Sequence, residues 1–309
     1  MIETVKIISK CTGINNKIDP KRLNENVQET GSADIAEGVN VNIDDSGQII
    51  SRPGQLEISS VPSQVWCDKA EGFQVQQRIS DAAIFQLNPD ASVPATPVVT
   101  GLVKGQRLGF WQAGDKTYWS SLSAHGLIVD GINYDWPGYN HVGAATQKVF
   151  YPAPYGNKIC IFKGRMWIAI GKEIWVSEYL AFGKFRLAAM VLPFVSDVLM
   201  MKPVEGGVWV SDSEKIWFLA DEGKFESLKW IKKASFPAHE FSENIELTDY
   251  SDTYLQILGL CATWGSNEGK CIGTPDGRLI VPTKNKLYYP TGTQGCTVVD
   301  GHNIINSVW

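Results

Sequence analysis

Apolar and polar residues alternate with period two along Gly38-Val-Asn-Val-Asn-Ile43, the spacing of a half-buried β-strand. Asp44-Asp-Ser-Gly47 follows as a turn and Gln48-Ile-Ile-Ser-Arg52 as a second strand before Pro53-Gly54, so residues 38–52 predict a β-hairpin with glycine in its turn. Helical periodicity is scarce. Its best candidates are Asp19 to Thr30 and the Ser32-Ala-Asp-Ile-Ala-Glu37 turn, each short and capped but with little apolar face. Prolines at 89, 94 and 97 mark residues 88–97 as an extended connection. Gly, Pro, Asn and Tyr make residues 130–158 read as a long irregular loop.

A repeat organises the middle of the chain. Gly164-Arg-Met-Trp-Ile-Ala-Ile-Gly-Lys-Glu-Ile-Trp-Val-Ser177 aligns with Gly206-Gly-Val-Trp-Val-Ser-Asp-Ser-Glu-Lys-Ile-Trp-Phe-Leu219, Trp167 on Trp209 and Trp175 on Trp217, at an offset of 42. A Gly-Lys-Phe follows each, at 183–185 and 223–225. Leu108 to Ser121 supplies a third copy, with Trp111 and Trp119 again eight apart, and Gly269 to Val281 a weaker one of ambiguous register. Each copy reads as strand, tight polar turn, strand. Even spacing keeps the alternation in phase, though parity alone does not put both tryptophans on one face. A period near 42 residues matches one four-stranded propeller blade of roughly 40–50 residues. The expectation is therefore an all-β chain: a β-propeller of about five or six blades over residues 38–309, with an irregular N-terminal arm over 1–37. Trp167, Trp175, Trp209 and Trp217 should then lie on paired strands and be mostly buried. The competing reading is a β-sandwich with unrelated Trp-rich hairpins.

Composition narrows the chemistry. The 309 residues are 44% hydrophobic and 20% charged, enough for a core without disulfide or metal staples. A net charge of -5 disfavours a broad DNA-gripping face. The N-terminus shows no secretory leader, and the longest apolar stretch, Leu187 to Met201, is broken by Pro193, Ser196 and Asp197, so no membrane span is expected. None of the six cysteines forms a C-x-x-C pair; Cys160 and Cys271, in apolar runs, read as free core thiols. Dinucleotide loops, phosphate-binding loops and the G-x-S-x-G elbow are all missing. His239-Glu-Phe-Ser-Glu243 is a near miss to the zincin motif, which needs two imidazoles one helical turn apart, and reads as a solvated loop. Asp44-Asp-Ser-Gly47 lacks the calcium ladder and reads as a hairpin turn. Ser211-Asp-Ser-Glu-Lys-Ile-Trp217 loosely resembles the Asp-box of sialidases but lacks its glycine, and the seven arginines are scattered. No enzyme activity, cofactor or metal is expected.

Two parts of the chain resemble a family. Gly13-Ile-Asn-Asn16, Asp19-Pro20, Arg22-Leu23, Ala36-Glu-Gly-Val-Asn-Val41 and Arg52-Pro53-Gly54 look like the opening of β-propeller tail proteins of bacteriophages, the nozzle-type and packaged-DNA-stabilising proteins of the head–tail junction or tail tip. The hairpin from Gly164 to Glu178 and the run at 269–277 resemble blades of the same group. The resemblance implies a structural virion protein of the tail: one subunit of a closed, most often sixfold, homo-oligomeric ring around the DNA exit channel. It also implies contacts to other tail or connector proteins and passage of DNA without specific binding. The alternative is a carbohydrate-binding or glycan-cleaving propeller; a cellular interaction propeller is weaker, because WD and kelch signatures are absent.

A ring needs a patch that meets a different patch on the next copy. The polar arm from Gly13 to Gly31, with Asp19 and Arg22, has too little apolar surface to bury itself. The loop from Asp130 to Gly156 offers Tyr134, Trp136, Tyr139 and Tyr155, aromatic residues of the kind enriched at interfaces. These six residues are the candidate subunit interface.

Overall fold

The computed structural model describes residues 10–14, 32–35, 41–43, 48–51, 63–67, 71–137, 149–247, 250–252, 255–257, 259–282, 284, 288, 295–300 and 303–308. Strand β1 (Lys10–Ile14) pairs in parallel with β2 (Ser32–Ile35), and β3 (Val41–Ile43) forms an antiparallel hairpin with β4 (Ile49–Ser51). The predicted hairpin at 38–52 thus has its two strands paired at 41–43 and 49–51, while its turn lies outside the described residues. The predicted helical turn at 32–37 is not formed: Ser32–Ile35 is a strand, because so short a segment cannot offset helix nucleation, whereas pairing satisfies its backbone directly. The Asp19 to Thr30 candidate lies outside the described residues.

Among the described residues five antiparallel sheets follow, each built from four strands in chain order and one with an extra edge strand. Blade 1 holds β5 (Ser63–Cys67), β6 (Gly72–Gln77), β7 (Ala82–Gln86) and β8 (Val99–Leu102). Blade 2 holds β9 (Gly109–Ala113), β10 (Lys116–Ser120), β11 (His125–Val129) and β12 (Ile132–Tyr134). Blade 3 holds β13 (Lys158–Phe162), β14 (Arg165–Ile170), β15 (Glu173–Glu178) and β16 (Ala181–Phe185), with β17 (Val191–Pro193) pairing on β15. Blade 4 holds β18 (Val198–Val204), β19 (Gly207–Asp212), β20 (Ile216–Ala220) and β21 (Lys229–Ala234). Blade 5 pairs β22 (Asn244–Leu247) with β25 (Leu260–Ser266), β26 (Gly269–Gly273) and β27 (Leu279–Ile280). The hairpin of β23 (Tyr250–Asp252) and β24 (Leu255–Ile257) is inserted after β22, and β28 (Gly295–Asp300) pairs with β29 (Asn303–Val308). Among the described residues the only helical element is a single 3₁₀ turn, Phe225–Ser227. The architecture is all-β and propeller-like, as the period of the repeat predicts.

The first strand of each sheet lies innermost. β9 lies beside β13, β13 beside β18, and β18 beside β22 and β25. Gln64 on β5 exchanges two hydrogen bonds with the backbone of Leu108, just ahead of β9, at 2.6 and 3.0 Å. Hydrophobic cores fill the gaps between successive blades. Phe73, Val75 and Ile84 meet Phe110, Trp119 and Ile128 between blades 1 and 2. Tyr118 and Leu127 meet Met166, Ile168 and Phe185 between blades 2 and 3. Trp167 and Val176 meet Val208, Val210 and Leu219 between blades 3 and 4, and Trp209 and Phe218 meet Ala262 and Trp264 between blades 4 and 5. A blade covered on both faces needs apolar residues at successive positions, which is why all six residues of β19 are buried and clean alternation is lost.

The tryptophan pairs sit on paired strands, but on opposite faces. Trp167 is opposite Val176 and Trp175 opposite Ile168; Trp209 is opposite Phe218 and Trp217 opposite Val210. Neighbouring residues of a strand point to opposite sides, so each pair straddles its blade. Trp167 and Trp209 are fully buried, while Trp175 and Trp217 are half-buried. The third copy has a different place in its blade. Trp111 and Trp119 lie on β9 and β10, the first and second strands, whereas the other two pairs lie on second and third strands. The Gly-Lys-Phe segments also differ: 183–185 is part of β16, and 223–225 leads into the 3₁₀ turn. Residues 130–158 are not one irregular loop, since Ile132–Tyr134 forms the edge strand of blade 2 and Lys158 opens blade 3.

Candidate functional site

The chain enters its innermost strands through connections that carry a charged cluster. Arg107 precedes β9, Asn157 precedes β13, and His239-Glu-Phe-Ser-Glu243 precedes β22. The Lys158 ammonium, itself buried, donates to Glu240 at 2.8 Å and to Asn157 at 3.1 Å. The Arg107 guanidinium and the Lys158 ammonium each stand 4.9 Å from the Phe241 ring centroid. Phe241 has φ 62°, a left-handed backbone that an aromatic residue holds only when its surroundings impose it. The two cations on its ring supply part of that imposition.

The 239–243 segment is therefore not a solvated loop. His239 and Ser242 are buried; the His239 amide donates to Gly265 O, and the Gly265 amide donates to Ser242 Oγ at 2.9 Å. The local sequence does not reveal this because the segment's partners, β25 and Lys158, are remote in the chain. Glu243 has one carboxylate oxygen sealed from solvent. Burial pushes its carboxyl above the usual range, against the pull of Lys202 and Lys158. Together these groups tie the entrance of blade 5 to the entrances of blades 2 and 3. The arrangement locks three connections together. Among the described residues no group of three or more His, Cys, Asp or Glu side chains is placed to hold a metal ion.

The six candidate interface residues fare differently. Asp19, Arg22 and Tyr139 lie outside the described residues. Tyr134 is 49% exposed on the edge strand β12, and Tyr155 is 51% exposed. Tyr134 lies opposite Leu127, two residues along β11 from His125, whose ring meets that of Tyr155 at 4.8 Å. Ile132 and Tyr151 add exposed apolar surface nearby in the chain. Trp136 does not belong with them. It is 4% exposed, its Nε1 donates to Phe182 O at 3.0 Å, and its ring meets Tyr118 at 5.0 Å. A large indole gains most by filling the nearest gap between blades, so Trp136 staples blade 2 to blade 3 inside one chain. His125, between Trp136 and Tyr155, is pushed below its ordinary range by burial, although its Nε2 lies 3.0 Å from Ala153 O.

Other motifs resolve as structure. Asp212 is buried at the β19–β20 turn. Its Oδ1 accepts from the amides of Glu214 and Lys215 at 2.8 and 2.7 Å, and its Oδ2 accepts from Trp217 Nε1 at 2.9 Å. Cys160 and Cys271 are buried free thiols, as their apolar settings predicted, and burial pushes each to about 12.

No protein-family profile matches the chain, and no curated protein matches it. Solved structures do, at low identity. A protein of Bacteroides fragilis provisionally assigned as a 6-phosphogluconolactonase is 12% identical with TM-score 0.45, covering 86% of this chain and 79% of its own. Kluyvelomyces marxianus Hsv2 is 11% identical with TM-score 0.43, covering 81% and 74%. The AfRom2 CNH domain is 8% identical with TM-score 0.39, covering 77% and 69%. Among the described residues no helix is long and apolar enough to cross a membrane.

Proposed function

We propose that the chain is a structural subunit of a bacteriophage tail, several copies closing into a ring around the DNA exit path. The resemblance of Gly13 to Gly54 to the opening of phage tail propellers carries this reading. A propeller-like body with apolar gaps between blades suits a rigid ring component. The exposed Tyr134 and Tyr155 give one patch for the next copy, and the polar arm at 13–31 gives the complementary one. Six copies are expected from the resembling family, with other tail or connector proteins above and below. A net charge of -5 lets DNA slide past without being held.

Deleting residues 13–31 tests the reading. Mass in solution and electron micrographs of the intact protein should show a closed ring, and the deletion should yield monomers that are not incorporated into particles. An intact chain that stays monomeric at high concentration and is absent from virions refutes the proposal.

A further inference from the structure

We propose that the cleft between blades 3 and 4 is a binding site for an uncharged saccharide. This inference does not rest on the tail assignment. The cleft encloses about 430 Å³. Its walls are the β13–β14 turn with Lys163 and Arg165, the β15–β16 turn with Tyr179, and the segment after β20 with Asp221, Lys224, Phe225 and Glu226. Trp167 forms its floor.

Three observations point to a ligand. First, the buried Trp167 indole N–H has no acceptor. The indoles of Trp119, Trp136, Trp175, Trp209 and Trp217 each donate to a protein oxygen, and that of Trp264, which also lacks one, lies against the Cys271 thiol. An unmade buried donor is costly, and a ligand oxygen would satisfy it. Second, two residues at the rim hold left-handed backbone: Lys163 at φ 46° and Leu180 at φ 52°. Lys163 and Gly164 are the two central residues of the β13–β14 hairpin, whose tight turn requires this backbone and fixes the rim. Third, Tyr179 is 61% exposed, yet its ring is held against the turn by Gly164, where a Cβ would stand 2.6 Å from the ring. The Leu180 amide secures that turn by donating to Gly164 O at 2.7 Å.

The chemistry of the walls selects the ligand class. Tyr179 and Phe225 offer aromatic faces for the apolar C–H face of a sugar ring. Lys224, the Trp167 N–H and Lys163 are donors and Glu226 and Asp221 acceptors, Lys163 and Asp221 standing 3.7 Å apart, and hydroxyl groups need both. Arg165 is committed to the wall, donating to Ser177 O at 2.9 Å beside Glu178. Lys163 pairs with Asp221 at 3.7 Å and Arg165 lies beside Glu178, which leaves Lys224 and Glu226, one of each sign, so the walls carry no excess charge to select an anion. An apolar ligand would leave the ammonium and carboxylate groups unsatisfied.

The test uses the full chain on an array of immobilised neutral glucans, mannosides and chitooligosaccharides, together with sialylated and uronic-acid members, followed by calorimetric titration of the best neutral member. At least one neutral member should bind. Tyr179→Ala and Lys224→Ala should each weaken it about tenfold with the melting temperature unchanged. No neutral binding, binding confined to acidic members, or affinity unaltered in both variants overturns the proposal. Those failures leave ring assembly and virion incorporation untouched, so the two readings fall separately.

Discussion

Blade 2 and blade 4 carry the same Trp-x7-Trp spacing, yet they bury opposite members of it. In blade 4 the first tryptophan, Trp209, is sealed and the second, Trp217, is half-buried; in blade 2 Trp111 is half-buried and Trp119 is sealed. Strand position accounts for the reversal. Trp119, Trp167 and Trp209 all lie on the second strand of their blades, where neighbouring sheets cover both faces. Trp111 lies on the first strand, Trp175 and Trp217 on the third. A spacing of eight records the geometry of a tight hairpin. It does not record which hairpin of the blade it is.

The largest effect that can break this comparison is truncation. Trp119→Ala, Trp167→Ala and Trp209→Ala should each cost about 3–5 kcal/mol in denaturant unfolding. Trp111→Ala, Trp175→Ala and Trp217→Ala should cost distinctly less, since they surrender less buried area. If Trp111→Ala cost as much as Trp167→Ala, order within the motif would govern and strand position would not.

A smaller effect sharpens it. Two glycines make room for the second-strand indoles. A Cβ on Gly126, the cross-strand partner of Trp119, would stand 2.6 Å from its Nε1, and a Cβ on Gly273 of blade 5 would stand 2.5 Å from Trp209. Gly126→Ala and Gly273→Ala should each cost about 1–3 kcal/mol by overpacking. Pairing Gly126→Ala with Trp119→Phe should recover part of that loss in a double-mutant cycle, whereas pairing it with Trp209→Phe should recover none.

The smallest effect separates blade 2 by its acid response. Burial holds His125 below its ordinary 6.5, so as pH falls the unfolded chain takes up the proton first. The stability that neutral His125 lends is full above about 6.5 and declines as pH drops below it. Blades 3 and 4 have no histidine in their strands. The melting temperature should therefore fall more steeply below neutrality in the wild type than in His125→Phe. Parallel profiles for the two proteins would show that His125 is not the group responsible.

Period and composition alone were enough to declare an all-β propeller-like chain, because hairpin spacing, turn glycines and paired tryptophans are local signals of a repeating unit. The hairpin at 38–52 and the free thiols Cys160 and Cys271 were legible for the same reason: neighbouring residues decide them. What escaped the sequence depends on residues far apart in the chain. Trp136 is buried only because Phe182 and Tyr118 come to meet it. His239 and Ser242 are buried because β25 and Lys158 receive their segment. The cleft exists only where the turns of blade 3 face the loop of blade 4. Local periodicity carries the strand and the turn, but burial and charge pairing are settled by which blades become neighbours, and only the tertiary structure chooses those neighbours.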